Sequence, residues 1–368
     1  MLSLLSLPLT SEAPQRVRWG ILGSGLIAKD FAGALKGIPD EAEVIAVGAR
    51  SLSSAKDFAT ALGVPRAYAG YEALIADPDV DCVYIGTIAN THAALCLQCI
   101  QAGKPVLVEK PMALTAAQAA DVLQRSRAAN VLLMEGMWTR CFPAIAKLRE
   151  LLRDGVIGDV VAVSADFGWP ASSDLEGEHA RLLDVHSGGC ALDIAMYPIG
   201  HVLLASDGAP PASVAAVGQM VPSPQGFSVD WGFGAALGAF EGRPGLCASL
   251  LCSLSGGTPE EAVFTGTKGT LRLHGAAHIP TKLTLRVARG RGEADEQTFD
   301  FPLPPLPPGA LPFNYPGSQG FIYEARAVHE ALRQGRLEVE AWTHRDALTT
   351  CDPFRKFRTL GRGAVTCT

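Results

Sequence analysis

Short apolar runs alternate with helical stretches from Arg16 to about Gly136, and this alternation limits the fold more than any other feature of the chain. Residues 18–22, 44–49, 82–85, 106–108 and 131–134 read as strands. Residues 26–36, 54–62, a stretch around 92–101, and 115–129 read as the helices between them. Such an order implies a parallel, doubly wound sheet with right-handed crossovers. In an open sheet of that kind, chemistry collects at the carboxyl ends of the strands.

The pattern changes after Trp138. A helix is expected over 143–152 and a half-exposed strand over 160–167. Six more strands follow, over 213–220, 231–240, 246–254, 262–265, 270–274 and 282–287, separated by Gly, Pro or Ser turns. A succession of this kind argues for a large, open, mostly antiparallel sheet with one covered face. Residues 301–316 are dense in proline and read as an extended connector. Residues 323–334 form an amphipathic helix, and Asp352-Pro353 interrupts what would have been a last long helix. The fold class expected is therefore α/β, with a doubly wound N-terminal domain over 16–136 and an α+β domain over 137–368. The latter is assigned substrate binding and dimerisation.

The length of 368 residues fits two cores better than one. Hydrophobic residues make up 48% and charged residues 18%, which suits a buried globular chain rather than a disordered one. The net charge of −6 without a basic run argues against nucleic acid as a partner. Without 18 consecutive apolar residues, a membrane span is not expected. Residues 1–15 read as a loose N-terminal tail, with a cleaved targeting segment as the alternative. Nine scattered cysteines point to a reducing compartment, so the chain is expected in the cytoplasm. Cys96 and Cys99 fall in a helical pattern and read as core residues rather than metal ligands, and no metal is expected.

Gly23-Ser24-Gly25-Leu26-Ile27-Ala28 joins the first strand to the first helix. Glycines at 23 and 25 permit a tight turn and close approach to a pyrophosphate, and free N–H groups at the helix start face it. The second strand ends in Ala49-Arg50-Ser51 rather than in an acidic residue that would hold a ribose hydroxyl. Arg50 suits a 2′-phosphate, with Ser51 and Ser53 or Ser54 adding hydroxyls, so NADP is expected before NAD; the alternative is an ordinary surface arginine. Thr87 to His92 follow the strand 82–85, where Asn90 either caps the next helix or meets cofactor, and His92 either faces substrate or sits in the first helical turn.

Glu109-Lys110-Pro111 closes the apolar run 106–108. A lysine there can stabilise the alkoxide that develops as a hydride leaves its carbon. Gly188-Gly189-Cys190-Ala191-Leu192-Asp193-Ile194-Ala195-Met196-Tyr197 is the other constellation. Its glycines would open a helix and leave room for substrate. Asp193 and Tyr197, four apart, would share one face as a proton-transfer pair, or be structural; Pro198 should bend or offset the helix. Trp138, Phe142, Phe167 and Trp169 would form an apolar pocket wall or pack as core.

Together these motifs resemble the glucose-fructose oxidoreductase/inositol dehydrogenase/MocA-like family, from Arg16 to about Gly361. The glycine turn, Glu109-Lys110-Pro111 and the Gly188-to-Tyr197 motif carry the likeness. The runs Met134-Glu135-Gly136-Met137-Trp138-Thr139-Arg140 and Gly266-Thr267-Lys268-Gly269-Thr270 look closest to the dimeric dihydrodiol dehydrogenase group and its NADP-dependent D-xylose 1-dehydrogenase relatives. The resemblance implies a Rossmann domain and hydride transfer from a small cyclic polyol, either a trans-dihydrodiol of an aromatic hydrocarbon or an aldopentose such as D-xylose. It implies Lys110 as the catalytic lysine, Tyr197 as the acid/base, and Asp193 orienting substrate or sharing the proton. It implies cofactor contacts at Gly23, Gly25, Leu26, Ile27, Arg50, Ser51, Thr87, Asn90, Glu109 and Lys110, and substrate contacts at His92, Trp138 and Phe167. A homodimer through the C-terminal sheet is implied too. The chain departs from the dihydrodiol group at Ala89, where a second histidine is expected, and at Ser54, where a second arginine is. A cofactor-binding sugar sensor of the same fold, without turnover, is the alternative function.

Overall fold

The computed structural model describes residues 16–171, 181–290, 293–306, 310–358 and 365–367. The chain begins with β1 (Val17–Leu22), α1 (Leu26–Leu35), β2 (Ala42–Ala49), α2 (Leu52–Leu62), β3 (Arg66–Ala69), α3 (Glu72–Ile75), β4 (Cys82–Ile85), α4 (Ala89–Gln101), β5 (Val106–Glu109), α5 (Ala116–Ala129) and β6 (Leu133–Gly136). All six strands run parallel in the order β3-β2-β1-β4-β5-β6. β4 and β5 are buried at every position, which is why each reads as an unbroken apolar run rather than an alternating one. The order reverses between β1 and β4, so the loops leaving those strands diverge and open a crevice at their carboxyl ends. Cys96 and Cys99 lie buried on α4.

A 3₁₀ turn at Trp138–Cys141 and α6 (Pro143–Arg153) lead into the second sheet. Its elements are β7 (Val160–Gly168), α7 (Cys190–Asp193), α8 (Met196–Ser206), β8 (Pro211–Pro222), β9 (Ser228–Phe240), β10 (Cys247–Ser253), β11 (Ala262–Gly266), β12 (Gly269–Leu273), β13 (Lys282–Ala288) and β14 (Ala294–Asp300). α9 (Phe321–Arg333), α10 (His344–Arg358) and β15 (Val365–Cys367) complete it. Nine strands pair in the order β14-β13-β12-β11-β7-β10-β9-β8-β15, antiparallel except for β7 with β10. On β10, buried and exposed residues alternate strictly, so one face covers α8 and the other looks outward. The described part of the proline-dense connector is irregular, as its composition predicts. No described helix is long and apolar enough to cross a membrane.

Two expectations fail, and three strands escape the sequence reading. Residues 188–197 do not form one helix: Ile194 leaves helical geometry at φ −129°, separating α7 from α8. A continuous helix would need an N–H at position 198 to reach the Ile194 carbonyl, and Pro198 has none. Proline instead sits in the first turn of α8, where no such donor is required. Pro353, by contrast, does not end the last helix, since α10 runs through it to Arg358. Packing of α10 against α5 and α8 offsets the lost hydrogen bond, a cost of about 3 kcal/mol. Finally, β3, β14 and β15 lie at or next to sheet edges; β14 is exposed at most positions, so it shows no alternation to read.

Candidate active site

The glycine turn has one glycine dictated by protein packing and one that packing leaves free. Gly23 takes φ +107°, and a Cβ there would lie 2.6 Å from the Gly86 carbonyl oxygen. A Cβ on Gly25 would meet nothing within 4 Å. Gly25 therefore borders open space at the start of α1, with Leu26 and Ile27 half-buried beside it. No side chain caps this helix, so its first N–H groups have no side-chain acceptor. Ala28 is fully buried against β4. An absent side chain beside uncapped helix donors is what a dinucleotide pyrophosphate requires, so the residues present fit that group.

At the end of β2, Arg50 is exposed and pairs with no carboxylate among the described residues. Ser51 caps α2, its Oγ accepting from the Ser54 amide at 3.1 Å and lying 3.0 and 2.8 Å from the hydroxyls of Ser53 and Ser54. An unpaired guanidinium thus stands next to a hydroxyl cluster at a helix N-terminus.

The loops after β4 and β5 are tied together from behind. His92, predicted to meet substrate, is 1% exposed. Its Nδ1 lies 2.8 Å from the Pro111 carbonyl and its Nε2 3.1 Å from the Thr87 carbonyl. Burial lowers its pKa despite those carbonyls. Both ring nitrogens lie within hydrogen-bond distance of backbone carbonyls, and a neutral ring can donate to only one of them, so His92 ties the two loops together. Asn90 does not cap α4 either; the cap position is Ile88, without a side-chain bond, and Asn90 is exposed. Thr87 Oγ1 lies 2.7 Å from Thr91 Oγ1. Glu109 is buried beneath the lysine, accepts from the Tyr84 hydroxyl at 2.8 Å, and has its pKa raised by burial.

Lys110 crosses from the first sheet to the second. Its Nζ donates to the Asp193 carbonyl at 2.7 Å, lies 3.9 Å from Asp193 Oδ1, and stands 5.5 Å from the centre of the Tyr197 ring. The side chain keeps 19% of its exposure. Asp193 is engaged elsewhere: Arg181 donates to its Oδ1 at 2.6 Å. Burial alone would raise the Asp193 pKa, but the Arg181 guanidinium and the Lys110 ammonium outweigh it and hold the carboxyl below its ordinary value. Tyr197 goes the other way. Burial, then Glu109, push its phenol well above its ordinary value, and the Trp138 indole, a buried N–H without a bonded acceptor, only partly counters them.

The glycines of the motif do not leave room for substrate. Gly189 takes φ +91°, and the Asp230 carboxylate fills the space a side chain would occupy. Asp230 accepts from the Ala191 amide at 2.6 Å, so it caps α7. Gly188 packs on the backbone of residues 181–184. Of the aromatic residues, Trp138 is 5% exposed and stacks on Phe321 at 4.6 Å, while Phe142 meets it edge-on; both belong mainly to the core. Phe167 lies 5.4 Å from the Tyr197 ring.

Three site residues carry no sequence signal. Arg181 holds Asp193 from 12 positions upstream. His278 lies on the turn between β12 and β13, its ring 5.6 Å from Tyr197 and 4.4 Å from Phe167. Glu260 lies 2.8 Å from His278 Nδ1. Residues in turns follow no period, and only the folded sheet brings these together.

Comparison with known proteins agrees with this geometry. The family model for the oxidoreductase family with an NAD-binding Rossmann fold matches residues 17–137, and that for the GFO/IDH/MocA C-terminal domain matches 145–272. Trans-1,2-dihydrobenzene-1,2-diol dehydrogenase of Bos taurus is 36% identical over 323 residues, 88% of this chain and 90% of the relative. The chain belongs to the GFO/IDH/MocA oxidoreductase family. The Homo sapiens dihydrodiol dehydrogenase is 35% identical over the same shares. Among solved structures, the 3-ketoreductase KijD10 from Actinomadura kijaniata, in complex with NADP and TDP-benzene, superposes with a TM-score of 0.74 at 26% identity, covering 92% of this chain and 96% of that one. Levoglucosan dehydrogenase with NADH and levoglucosan shares the fold, with a TM-score of 0.80 at 19% identity over 96% of this chain and all of that one.

Proposed function

We propose that this chain is an NADP-dependent dehydrogenase acting on a hydroxyl-bearing carbon of a small cyclic polyol, a trans-dihydrodiol or an aldopentose such as D-xylose. The observation that carries the reading is the meeting of Lys110, at the end of β5, with Tyr197, on α8, at the carboxyl edge of a dinucleotide-type sheet. A nicotinamide cofactor supplies the hydride acceptor when bound. Gly23, Gly25, Leu26 and Ile27 would hold its pyrophosphate, and Arg50 with Ser51 its 2′-phosphate. Thr87, Asn90 and Glu109 border the same edge.

Lys110 donates to the reacting oxygen and stabilises the charge that develops on it. Tyr197, its phenol kept protonated by burial, gives a proton to a substrate oxygen in reduction; oxidation runs the same transfer backwards. Asp193 positions Lys110 through its carbonyl, and its own carboxylate is already neutralised by Arg181. Phe167 lines the pocket on the side of the Tyr197 ring. The outward face of the large sheet exposes Val217 and Leu251, which supports a homodimer through that face.

The test is cofactor reduction, followed by absorbance or fluorescence, over a panel of cyclic sugars and trans-dihydrodiols with NADP and NAD in parallel. Turnover with NADP on at least one cyclic polyol is expected. Binding of the cofactors without turnover of any compound would overturn the reading in favour of a sensor.

A further inference from the structure

The chemistry above draws on the Lys110 side of the Tyr197 ring and leaves one polar side chain of the pocket without a role. His278 stacks on Phe167, ring centres 4.4 Å apart and planes 18° from parallel, and lies 5.6 Å from Tyr197 and 6.4 Å from Trp138. It is the imidazole in an otherwise aromatic group. Its main chain is fixed: Thr139 Oγ1 donates to the His278 carbonyl at 2.5 Å, and the Ala277 amide donates to the Glu260 carbonyl at 2.8 Å. Glu260 and Ala276 both hold left-handed backbone, φ 54° and 58°, a conformation unusual for side-chain-bearing residues.

The ring has two unlike edges. Nδ1 is buried and lies 2.8 Å from Glu260 Oε2, within ion-pair distance although the ring is not angled to hydrogen-bond it. The side chain as a whole nevertheless keeps 21% of its exposure. No hydrogen bond to a described residue occupies Nε2. A carboxylate beside Nδ1 favours the tautomer that carries its proton there, which leaves Nε2 a lone-pair acceptor.

We propose that His278, oriented by Glu260, is a specificity-determining residue that accepts a hydrogen bond at Nε2 from a substrate hydroxyl other than the one being oxidised. This rests on the reading that Lys110 and Tyr197 act on a substrate oxygen. An aromatic wall with one hydrogen-bonding end recognises a ring carrying hydroxyls at both ends. The pocket is therefore built for a polyhydroxylated ring, such as a cyclic sugar, in preference to a diol whose far end is hydrocarbon. A buried acceptor left unpaired by the wrong substrate is the source of that discrimination.

The experiment compares the best cyclic polyol with its deoxy analogues, each lacking one hydroxyl, in the wild type, in His278→Phe and in Glu260→Gln. In the wild type, one analogue missing a non-reacting hydroxyl should lose about 10-fold to 10²-fold in kcat/KM, mostly in KM. In His278→Phe that particular loss should vanish, because phenylalanine keeps the stack on Phe167 and removes the acceptor. Glu260→Gln, which leaves the ring in place, should shrink the loss and serves if His278→Phe does not fold. The inference is overturned if every analogue loses the same factor in variants and wild type, or if His278→Phe lowers kcat equally for all compounds with KM unchanged. Either result leaves the proposed dehydrogenase activity standing, since both require turnover to be measured.

Discussion

Along the parallel sheet, the residues assigned to the cofactor follow their strands almost at once: Gly23 after β1, Arg50 after β2, Lys110 after β5. Across from them, the residues proposed for the substrate side are Phe167 on β7, Arg181, Tyr197 on α8, Glu260 and His278, in segments spread over more than a hundred positions. The difference teaches where the chain stores its two specificities. On the first side, strand, turn and helix impose the position of each group, so local sequence decides it. On the second, loops and helices docked on a nine-stranded sheet set each side chain's place, so tertiary packing rather than local sequence makes the contacts, even between Arg181 and Asp193 only 12 positions apart.

That contrast can be broken by substitution, and the largest effect is expected where the two sides meet. Lys110→Met should lower kcat by on the order of 10² to 10³-fold while NADP affinity, measured by fluorescence titration, stays within about twofold. Near-normal turnover in this variant would remove the lysine from the chemistry. Arg50→Ala should act on the cofactor side alone, raising the KM for NADP by about 10-fold or more and leaving the KM for NAD unchanged, as expected for the loss of one charged hydrogen bond. An equal effect on both cofactors would assign Arg50 to the surface.

The smallest effect sharpens the picture of the substrate side. His201 on α8 is fully buried, and burial, then Arg140, lower its pKa to about 3. Between pH 6.5 and 3 the unfolded chain binds a proton that the folded chain refuses, so stability falls as pH falls through that window. Acidification from pH 7 to 5 should remove about 2 kcal/mol through this side chain. In His201→Leu, the drop in melting temperature between the two pH values should be smaller; an unchanged drop would place the acid sensitivity elsewhere.

What could be read in advance follows the same division. The doubly wound sheet and Lys110 were legible because buried parallel strands are unbroken apolar runs and the lysine directly ends one. Asp193 and Tyr197 read as neighbours on one helix face, whereas the structure brings them near Lys110 across a break before Pro198. Sequence places His92 at a strand's carboxyl end and leaves two positions open for it, without revealing that two backbone carbonyls lie against its ring. Sequence left Trp138 between pocket wall and core because an aromatic residue at a domain junction looks the same whether it packs on Phe321 or faces a ligand. Arg181, Glu260 and His278 were illegible, since each gains its meaning from one long-range contact.

The central claim is that Lys110 and Tyr197 serve one reacting oxygen. A double-mutant cycle tests it most directly, with kcat measured for Lys110→Met, Tyr197→Phe and the pair together under saturating NADP and the same polyol. Groups acting on one oxygen as a unit should show strong non-additivity, so that the double variant is about as slow as the slower single one. If the two losses multiply in full, the ammonium and the phenol act independently, and the shared site described above is wrong.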